Sequence, residues 1–361
     1  MSDKTTDTHD ILKRARENGT PLIDGDTAIF VWEGETAPEV IGDFNAWGQS
    51  ATGTGYMQQV SKGVWTYSIT LPADAYIEYV FTSDPDQDDA RLLDPFNRRQ
   101  VSNGIGNVNN HFIMPGGKHT ELDNFIPGVA QGFVSRHSIT HDALVLGGRR
   151  DVWLYKPPTT EAVPLLLVYD GKDYMRLTDI TQIVANMIAL GQIRPIAMAL
   201  IDNAKEARFM EYNCSETLLM AVTQLVLPLA YNRLNLIDHE VTPGAFGVMG
   251  ASMGGLMAMY TGMRLPHIFG KVISQAGAFS LHVDTIDSIA YKLIKDASKK
   301  DLDIWMDVGK FDYLLESNRN VHELLLTRGY NVTYQEYSAG HNYTIWSDWL
   351  VEALKVMFPT S

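Results

Sequence analysis

The strongest candidate for chemistry is the serine in the segment Gly250-Ala251-Ser252-Met253-Gly254. An apolar run typical of a buried strand precedes this segment, and a pattern typical of a helix follows it. In that setting a serine lies on a sharp strand-to-helix turn, where glycines allow a backbone approach that a Cβ would block. We therefore predict that Ser252 is a nucleophile and that the Met253 N–H faces a developing oxyanion. The alternative is a glycine-rich turn with an incidental serine.

A serine hydroxyl attacks efficiently only when a base accepts its proton and an acid orients that base. After such a turn, the expected chain order is acid and then histidine. The histidines that follow Ser252 are His267, His282, His322 and His341. His341 is predicted in a loop between a strand and the last helix, which is where the base belongs. His267 is predicted at a helix end, His282 in a loop and His322 inside an amphipathic helix.

The candidate acid is Asp312, which follows a predicted strand at residues 304–308. It would lie at the same sheet edge as the serine. Asp307 is a rival within that strand, and Glu316 is predicted on the next helix. Taken singly, Asp312 could instead cap a helix and His341 could make an ordinary loop hydrogen bond.

A second oxyanion donor is expected after an earlier strand, at residues 165–169. That strand leads into Asp170-Gly171-Lys172-Asp173, a glycine turn. A backbone N–H in this turn, at Lys172 or Asp173, is the predicted donor. The sequence does not choose between them because backbone donors leave no side-chain signature.

The overall composition narrows the class of protein that must position these residues. The chain has 361 residues, with 43 acidic and 29 basic side chains, and its formal net charge is −14. This balance argues against nucleic acid or an anionic membrane as a partner. A single cysteine, Cys214, excludes an intrachain disulfide and a cysteine-based zinc site. The polar amino terminus and the lack of long apolar runs predict a cytoplasmic protein, and no motif for a metal or cofactor is present.

The arrangement of apolar and polar residues along the chain divides it into regions with different predicted secondary structure. Residues 1–25 are predicted to be a polar lead-in, and residues 26–115 a small all-β sandwich of short alternating strands. Residues 116–141 are predicted to be a linker or first hairpin. From residue 142 to 361, continuous apolar strands alternate with helical patterns. This second pattern predicts an α/β fold, namely a mostly parallel sheet covered by helices on both faces.

The carboxyl-terminal region, about residues 142–358, resembles the enterochelin (enterobactin) esterase family of the esterase-D-like α/β-hydrolases. The resemblance is carried by residues 150–157, 169–171, 208–214, 250–255, 274–277 and 340–341. It implies a triad of Ser252, His341 and Asp312, with Arg208 on the substrate side. The alternative for Arg208 is an ion pair with Glu211, three residues on. Two positions depart from the family pattern, namely Asn342 after the histidine and Ser215 after the cysteine.

The amino-terminal region resembles the early-set immunoglobulin-like modules, including those of the glycogen-binding type. The resemblance is carried by residues 40–47, 63–65, Tyr79 and residues 93–97. Exposed tryptophans in such a module could stack on sugar rings. We favour the alternative, in which Trp47 and Trp65 fill the sandwich core and the module shapes the cleft of the second domain.

Together these features predict a carboxylic ester hydrolase of the enterochelin-esterase type that acts through an acyl-enzyme. A feruloyl or acetyl esterase acting on carbohydrate esters is an alternative. A carbohydrate-binding or scaffold protein with a degenerate hydrolase domain is the non-enzymatic alternative. The expected partner is a small-molecule ester, siderophore-like or aromatic, and a homo-oligomer is left open. An iron-loaded siderophore is anionic and would be repelled unless Arg208 or Lys172 forms a local positive site.

Overall fold

The structure is a computed structural model. It describes residues 4–49, 55–84, 87, 90–104, 106–280 and 288–360. The chain divides into two units. Unit 1 runs to His119 and also contains two later segments, Gly309–Tyr313 and Tyr337–Asn342. Unit 2 contains Thr120–Val308, Leu314–Glu336 and the chain from Tyr343 onward.

Unit 1 begins with helix α1 (Lys4–Asn18) and continues as short strands. These strands are β1 (Leu22–Asp24), β2 (Thr27–Glu33), β3 (Glu39–Gly42), β4 (Gly55–Tyr56), β5 (Gln58–Ser61), β6 (Val64–Thr70), β7 (Tyr76–Thr82), β8 (Arg91–Leu92), β9 (Gln100–Ser102) and β10 (Val108–Ile113). Within the described residues, one sheet has the order β1-β2-β6-β5. The other has the order β4-β3-β7-β10-β9, and β8 pairs with β7. All described pairings in both sheets are antiparallel.

The two sheets of unit 1 enclose one apolar core, as a sandwich requires. Phe30 on β2 meets Tyr79 on β7 edge to face, with ring centroids 4.7 Å apart, and Phe112 on β10 packs beside them. The predicted strand patterns of this region are confirmed in β2, β6 and β7. The immunoglobulin-like assignment itself stays a prediction.

Unit 2 contains strands β11 (Phe133–Thr140), β12 (Arg149–Lys156), β13 (Leu165–Val168), β14 (Ala197–Ile201), β15 (Phe246–Ala251), β16 (Phe269–Gln275), β17 (Asp303–Gly309) and β18 (Asn331–Tyr337). Its helices are α2 (Gly171–Leu177), α3 (Ile180–Ala189), α4 (Arg208–Tyr212), α5 (Glu216–Ala221), α6 (Leu227–Arg233), α7 (Met253–Arg264), α8 (Ile289–Asp296), α9 (Leu315–Thr327) and α10 (Tyr343–Met357). A π-helical turn, Val222–Val226, joins α5 to α6 without a break, so Glu216–Arg233 is one continuous helix, as the helical pattern at residues 214–231 predicts.

The strands of unit 2 form one sheet in the order β11-β12-β14-β13-β15-β16-β17-β18. The pairings from β14 to β17 are parallel, whereas β11 and β12 pair antiparallel at one edge. Every residue of β13, β14 and β15 is buried. Because alternate side chains of a strand point to opposite faces, this burial means that both faces of the sheet are covered. The predicted α/β fold is confirmed.

Two predicted regions contain strands. The lead-in at residues 1–25, for which no strand is predicted, includes β1, which pairs with β2 in the sandwich. The segment 116–141, predicted to be a linker or first hairpin, contains β11, which pairs antiparallel with β12 along its whole length, as the hairpin alternative predicts. β11 is a mostly exposed edge strand, so its sequence lacks the apolar run that marks a buried strand.

Among the described residues, no helix taken alone has the length and apolar character of a membrane span. Two consecutive segments, Lys205–Tyr212 and Glu216–Arg233, reach that length and apolar character only when they are counted together, and they are bent by 99° at the break between them.

Candidate active site

Ser252 lies on a sharp turn between β15 and α7. Its backbone angles, φ 57° and ψ −122°, are strained for a residue with a side chain. Hydrogen bonds hold the turn on both sides. The Ser252 N–H donates to the Gln275 carbonyl at 2.8 Å, and the Ser252 carbonyl accepts from the N–H groups of Leu256 and Ala278 at 3.1 and 3.0 Å. The serine is therefore held in a fixed, half-buried position at the start of a helix.

The glycines around Ser252 are explained by close backbone packing. A Cβ on Gly250 would lie 2.5 Å from the carbonyl carbon and oxygen of Gly254. A Cβ on Gly254 would lie 3.0 Å from the Asp170 carboxylate. The structure therefore has the strand–turn–helix geometry that the segment predicts.

The turn after β13 contains the predicted second oxyanion donor. Asp170 has φ 52°, and α2 begins at the next residue. A Cβ on Gly171 would lie 2.4 Å from the Leu200 backbone, which explains the glycine. The Asp173 N–H already donates to the Asp170 carbonyl at 2.9 Å. Of the two predicted donors, the Lys172 N–H is therefore the better candidate.

Arg208 pairs with Asp170 and not with Glu211. Its Nε and Nη2 atoms donate to the two Asp170 carboxylate oxygens at 2.7 and 2.6 Å. Asp170 is fully buried and also accepts from Asn203 at 2.7 Å. Glu211 instead forms a buried bidentate pair with Arg150, at 2.8 and 3.0 Å. The alternative of an Arg208–Glu211 ion pair is therefore wrong, because both groups have partners from distant parts of the chain.

The charges around Arg208 are balanced. Burial lowers the pKa of Arg208, but the hydrogen bonds and charge of Asp170 outweigh this effect and raise it. On neighbouring residues, Lys205 pairs with Asp202 at 2.7 Å and Arg176 with Asp173 at 3.5 Å. Each of these three positive groups thus has an acidic partner, whereas Lys172, the other predicted positive group, is exposed.

The predicted acid and base lie together in unit 1. His341 Nδ1 is 2.7 Å from Asp312 Oδ2, and the Asp312 side chain is fully buried whereas 19% of the His341 side chain is exposed. We call Gly309–Tyr313 the acid loop and Tyr337–Asn342 the base loop. These loops share a bond from the Phe311 N–H to the Ala339 carbonyl, at 3.1 Å. A Cβ on Gly309 would lie 2.1 Å from that carbonyl oxygen, so the close approach needs the glycine.

The rival acids have other partners. Asp307 is fully buried in β17, where one of its carboxylate oxygens accepts from Trp305 at 2.7 Å and from Gln275 at 3.2 Å. Glu316 lies on α9 and pairs with Arg319 at 2.7 Å.

The other histidines have different surroundings. His267 is exposed, and His322 stacks on Tyr334 with ring centroids 4.2 Å apart. His282 lies outside the described residues.

Two buried carboxyl groups near the acid–base pair were missed by the sequence argument. Asp43 directly follows β3, and its Oδ2 accepts from the Glu78 N–H at 2.8 Å. Glu78 lies on β7 and accepts from Asn109 at 2.7 Å. Burial, with the charge of Asp312, raises the pKa of Asp43 to about 7. Burial, with the charge of Asp43, raises the pKa of Glu78 to about 8.

These raised pKa values predict a pH-dependent stability. In the unfolded chain both groups ionise near pH 4, so between about pH 4 and pH 8 the folded protein binds more protons. We therefore expect the free energy of unfolding to fall by about 1 kcal/mol per pH unit for each group as the pH rises, from about 5 to about 7 for Asp43 and from about 5 to about 8 for Glu78. Urea unfolding across this range measures the slope. The Glu78→Gln variant removes one group and should give a shallower slope, whereas equal slopes would contradict the assignment.

The tryptophans proposed for the sandwich core differ in position. Trp65 packs against the core and donates from its ring N–H to the Gly34 carbonyl at 3.0 Å. Trp47 is only half-buried, lies under the guanidinium of Arg91 at 5.0 Å and hydrogen-bonds to Asp43. Trp65 is also half-buried, so the two rings differ in packing: Trp65 packs against the core as predicted, whereas Trp47 is not part of that cluster. Among the described residues, no group of three or more His, Cys, Asp or Glu side chains has a metal-binding arrangement.

A strained serine turn at the end of a central strand, in a mostly parallel sheet, defines an α/β-hydrolase fold. The Esterase family model matches residues 144–357. The chain belongs to the Esterase family. The family and fold predicted from the sequence are therefore confirmed.

Named relatives agree with this assignment. An iron(III) enterobactin esterase of Dickeya dadantii is 26% identical over 228 residues, which cover 58% of this chain and 52% of the relative. The chain thus spans about half the length of that relative. The enterobactin esterase FES from Shigella flexneri, solved in the presence of enterobactin, has TM-score 0.76 at 19% identity, covering 93% of this chain and 94% of its own. A ferulic acid esterase has TM-score 0.56 at 16% identity, covering 64% of this chain and 99% of its own.

Proposed function

We propose that this protein is a carboxylic ester hydrolase in which Ser252, His341 and Asp312 act as a triad. The observation that carries the proposal is the His341–Asp312 hydrogen bond of 2.7 Å, in the same chain as a strained serine turn. Ser252 follows β15, Asp312 follows β17 and His341 follows β18, and these strands belong to one sheet. Membership of the Esterase family supports the same reaction class.

The proposed reaction proceeds through an acyl-enzyme. Ser252 Oγ attacks the ester carbonyl while His341 Nε2 accepts its proton, because Nδ1 is held by Asp312. The N–H groups of Met253 and Lys172 donate to the oxyanion. The imidazolium then protonates the leaving alcohol, and the acyl group remains on Ser252. Water attacks the acyl group while His341 accepts the proton of that water. The bond between the acyl carbon and Ser252 Oγ then breaks, the imidazolium returns the proton to Oγ, and the acid product leaves.

The proposed substrates are small esters of the enterobactin type, preferentially without iron. The names of the relatives supply the substrate class: the Dickeya dadantii relative is named for iron(III) enterobactin, and the Shigella flexneri structure was solved in the presence of enterobactin. The preference for the iron-free form rests on charge, because Arg208, Lys205 and Arg176 are paired with acidic partners and the net charge is −14, which the one exposed Lys172 does not offset. An anionic iron complex would approach such a surface against repulsion.

A substrate panel tests this proposal. It compares a catecholate trilactone, its ferric complex, feruloyl sugars and acetyl sugars, with products identified by mass spectrometry. We expect the iron-free trilactone to have a kcat/KM about tenfold or more above that of its ferric complex, with a gap that narrows at high salt. Turnover of the feruloyl or acetyl sugars alone would favour the carbohydrate-ester alternative. No turnover of any ester would overturn the proposal.

The role of Arg208 can be tested through stability. Arg208→Ala leaves the fully buried Asp170 without its bidentate partner, so we expect a loss of about 3–5 kcal/mol in the free energy of unfolding. Removing both partners should cost less than removing Arg208 alone, because no buried charge is then left unpaired. Unfolding by urea measures both effects. Unchanged stability with a raised KM would instead assign Arg208 to substrate binding.

A further inference from the structure

The sandwich of unit 1 contacts the acid and base loops through a backbone hydrogen bond and through side-chain packing. The Tyr76 N–H, at the start of β7, donates to the Ser338 carbonyl at 3.0 Å. The Phe311 side chain of the acid loop packs against the sandwich core. The carboxyl group of Asp43 occupies the space beside Gly340, since a Cβ on Gly340 would lie 2.1 Å from Asp43 Oδ1 and 2.2 Å from its Cγ. The residue next to the proposed base is therefore in direct contact with a side chain of the sandwich.

We propose that Asp43 is a positioning residue, whose carboxyl group holds the base loop so that His341 stays hydrogen-bonded to Asp312. This inference rests on the proposed function, in which His341 is the base. The sandwich thereby has a role in catalysis that does not require it to bind a carbohydrate.

Asp43 is itself rigidly held, as a positioning residue must be. Its Oδ2 accepts from the Glu78 N–H at 2.8 Å, and the Trp47 ring supplies a second hydrogen bond. The turn that contains Asp43 is fixed by Asn45, whose side chain accepts from the Gly42 N–H and donates to the Val40 carbonyl, each at 2.9 Å. Asp43 is 3% exposed, so water does not substitute for these contacts.

Gly340 has no positive φ that would require a glycine. Asp43 supplies the other reason for a glycine here, because its carboxyl group fills the place of the missing side chain. The contact therefore constrains both residues, and a change at either one should displace the other.

The charged groups that face Asp43 come from three directions. Glu78 lies on β7, Asp312 on the acid loop and His341 on the base loop. The positive charge of Arg91, on β8, partly offsets the rise in the pKa of Glu78. Burial, with the charge of Asp312, raises the pKa of Asp43 to about 7 and so favours its uncharged form. We therefore expect Asp43→Asn to preserve the positioning, because an amide has the same shape and accepts the Glu78 hydrogen bond.

The experiment measures kcat and KM for p-nitrophenyl butyrate, labelling of Ser252 by a fluorophosphonate, and the far-downfield proton resonance of His341 Nδ1–H, all in the full chain. We expect Asp43→Ala to lower kcat and the labelling rate about 10- to 100-fold, with little change in KM, and to abolish the resonance. Asp43→Asn should stay within about fivefold of the parent and keep the resonance.

Asp94→Ala is the matched control. Asp94 is another buried carboxyl group of the sandwich, bonded to Thr20 and Tyr79 at 2.7 Å each. Its removal should lower the melting temperature but leave kcat and the resonance unchanged. If Asp94→Ala and Asp43→Ala lower kcat equally, the effect is general destabilisation and the proposal is overturned.

A second pair of variants approaches the contact from the other side. We expect Gly340→Ala to lower kcat about tenfold or more in the parent protein. In the Asp43→Gly background, the loss in kcat caused by Gly340→Ala should be at least about fivefold smaller, because the Asp43 atoms that would clash with the new methyl group are absent. Additive losses, or a folded Gly340→Ala variant with parental kcat, would overturn the proposal even if Asp43→Ala fails to fold.

The labelling data separate this inference from the proposed function. If the parent is labelled at Ser252 and His341→Ala is not, the triad stands and the Asp43 variants decide the inference. If the parent is not labelled, or if His341→Ala is labelled as fast as the parent, the triad assignment fails and the inference fails with it.

Discussion

Replacement of Ser252 by alanine should lower the hydrolysis of p-nitrophenyl acetate and butyrate by about 10³-fold or more. The hydroxyl is the group that forms the acyl-enzyme, and nothing else on the strained turn replaces it. Because the substitution removes one oxygen from a half-buried residue, we expect the fold to be retained. Steady-state rates, the burst phase and circular dichroism together measure the effect.

The control for this prediction is Ser298→Ala, a change at an exposed serine beyond α8. Both the burst and the steady-state rate of this variant should match those of the parent. A Ser252→Ala protein that keeps more than about a tenth of the parental rate would show that the ester is cleaved elsewhere.

Asp312→Asn should be nearly as damaging, with a loss of about 10³- to 10⁴-fold in kcat. The His341 Nδ1–H donates to a carboxylate that is fully buried, so the other ring nitrogen is left free of its proton and able to act as base. An asparagine NH₂ at the same place would donate to Nδ1 and favour the opposite tautomer. The expected signature is a collapse of kcat with KM nearly unchanged.

Asp307→Asn is the matched control, because Asp307 was the rival acid in the sequence. Its carboxylate accepts from Trp305 and Gln275, so we expect a loss of stability and a kcat within about fivefold of the parental value. If Asp307→Asn abolished turnover and Asp312→Asn did not, the assignment of the acid would be reversed.

The elbow and the sheet could be predicted because their signals are local. Ser252 is flanked by glycines within two residues on either side, and the buried strands appear as continuous apolar runs. Asp312 could be chosen over Asp307 from the position of the strand alone, since a loop residue is free to turn toward the base.

The residues that sequence reasoning missed depend on contacts between distant parts of the chain. The partner of Arg208 is Asp170, 38 positions away, whereas the sequence offered only Glu211 at helical spacing. Asp170 could have been suspected, because an acid at the end of a buried strand needs a partner. Asp43 lies in the segment Gly42-Asp43-Phe44-Asn45, which carries the resemblance of the amino-terminal module. Nothing in that segment indicates that its carboxyl group contacts Gly340.

The contact between Asp43 and Gly340 limits which residues can occur together at these two positions during evolution. A residue larger than glycine at position 340 is compatible with this arrangement only if position 43 becomes smaller. In homologous esterases the two positions should therefore vary together, although almost three hundred residues separate them in the chain. A chimaera that exchanges the amino-terminal module between two such enzymes with different residues at these positions should work only when the acid and base loops are exchanged with it.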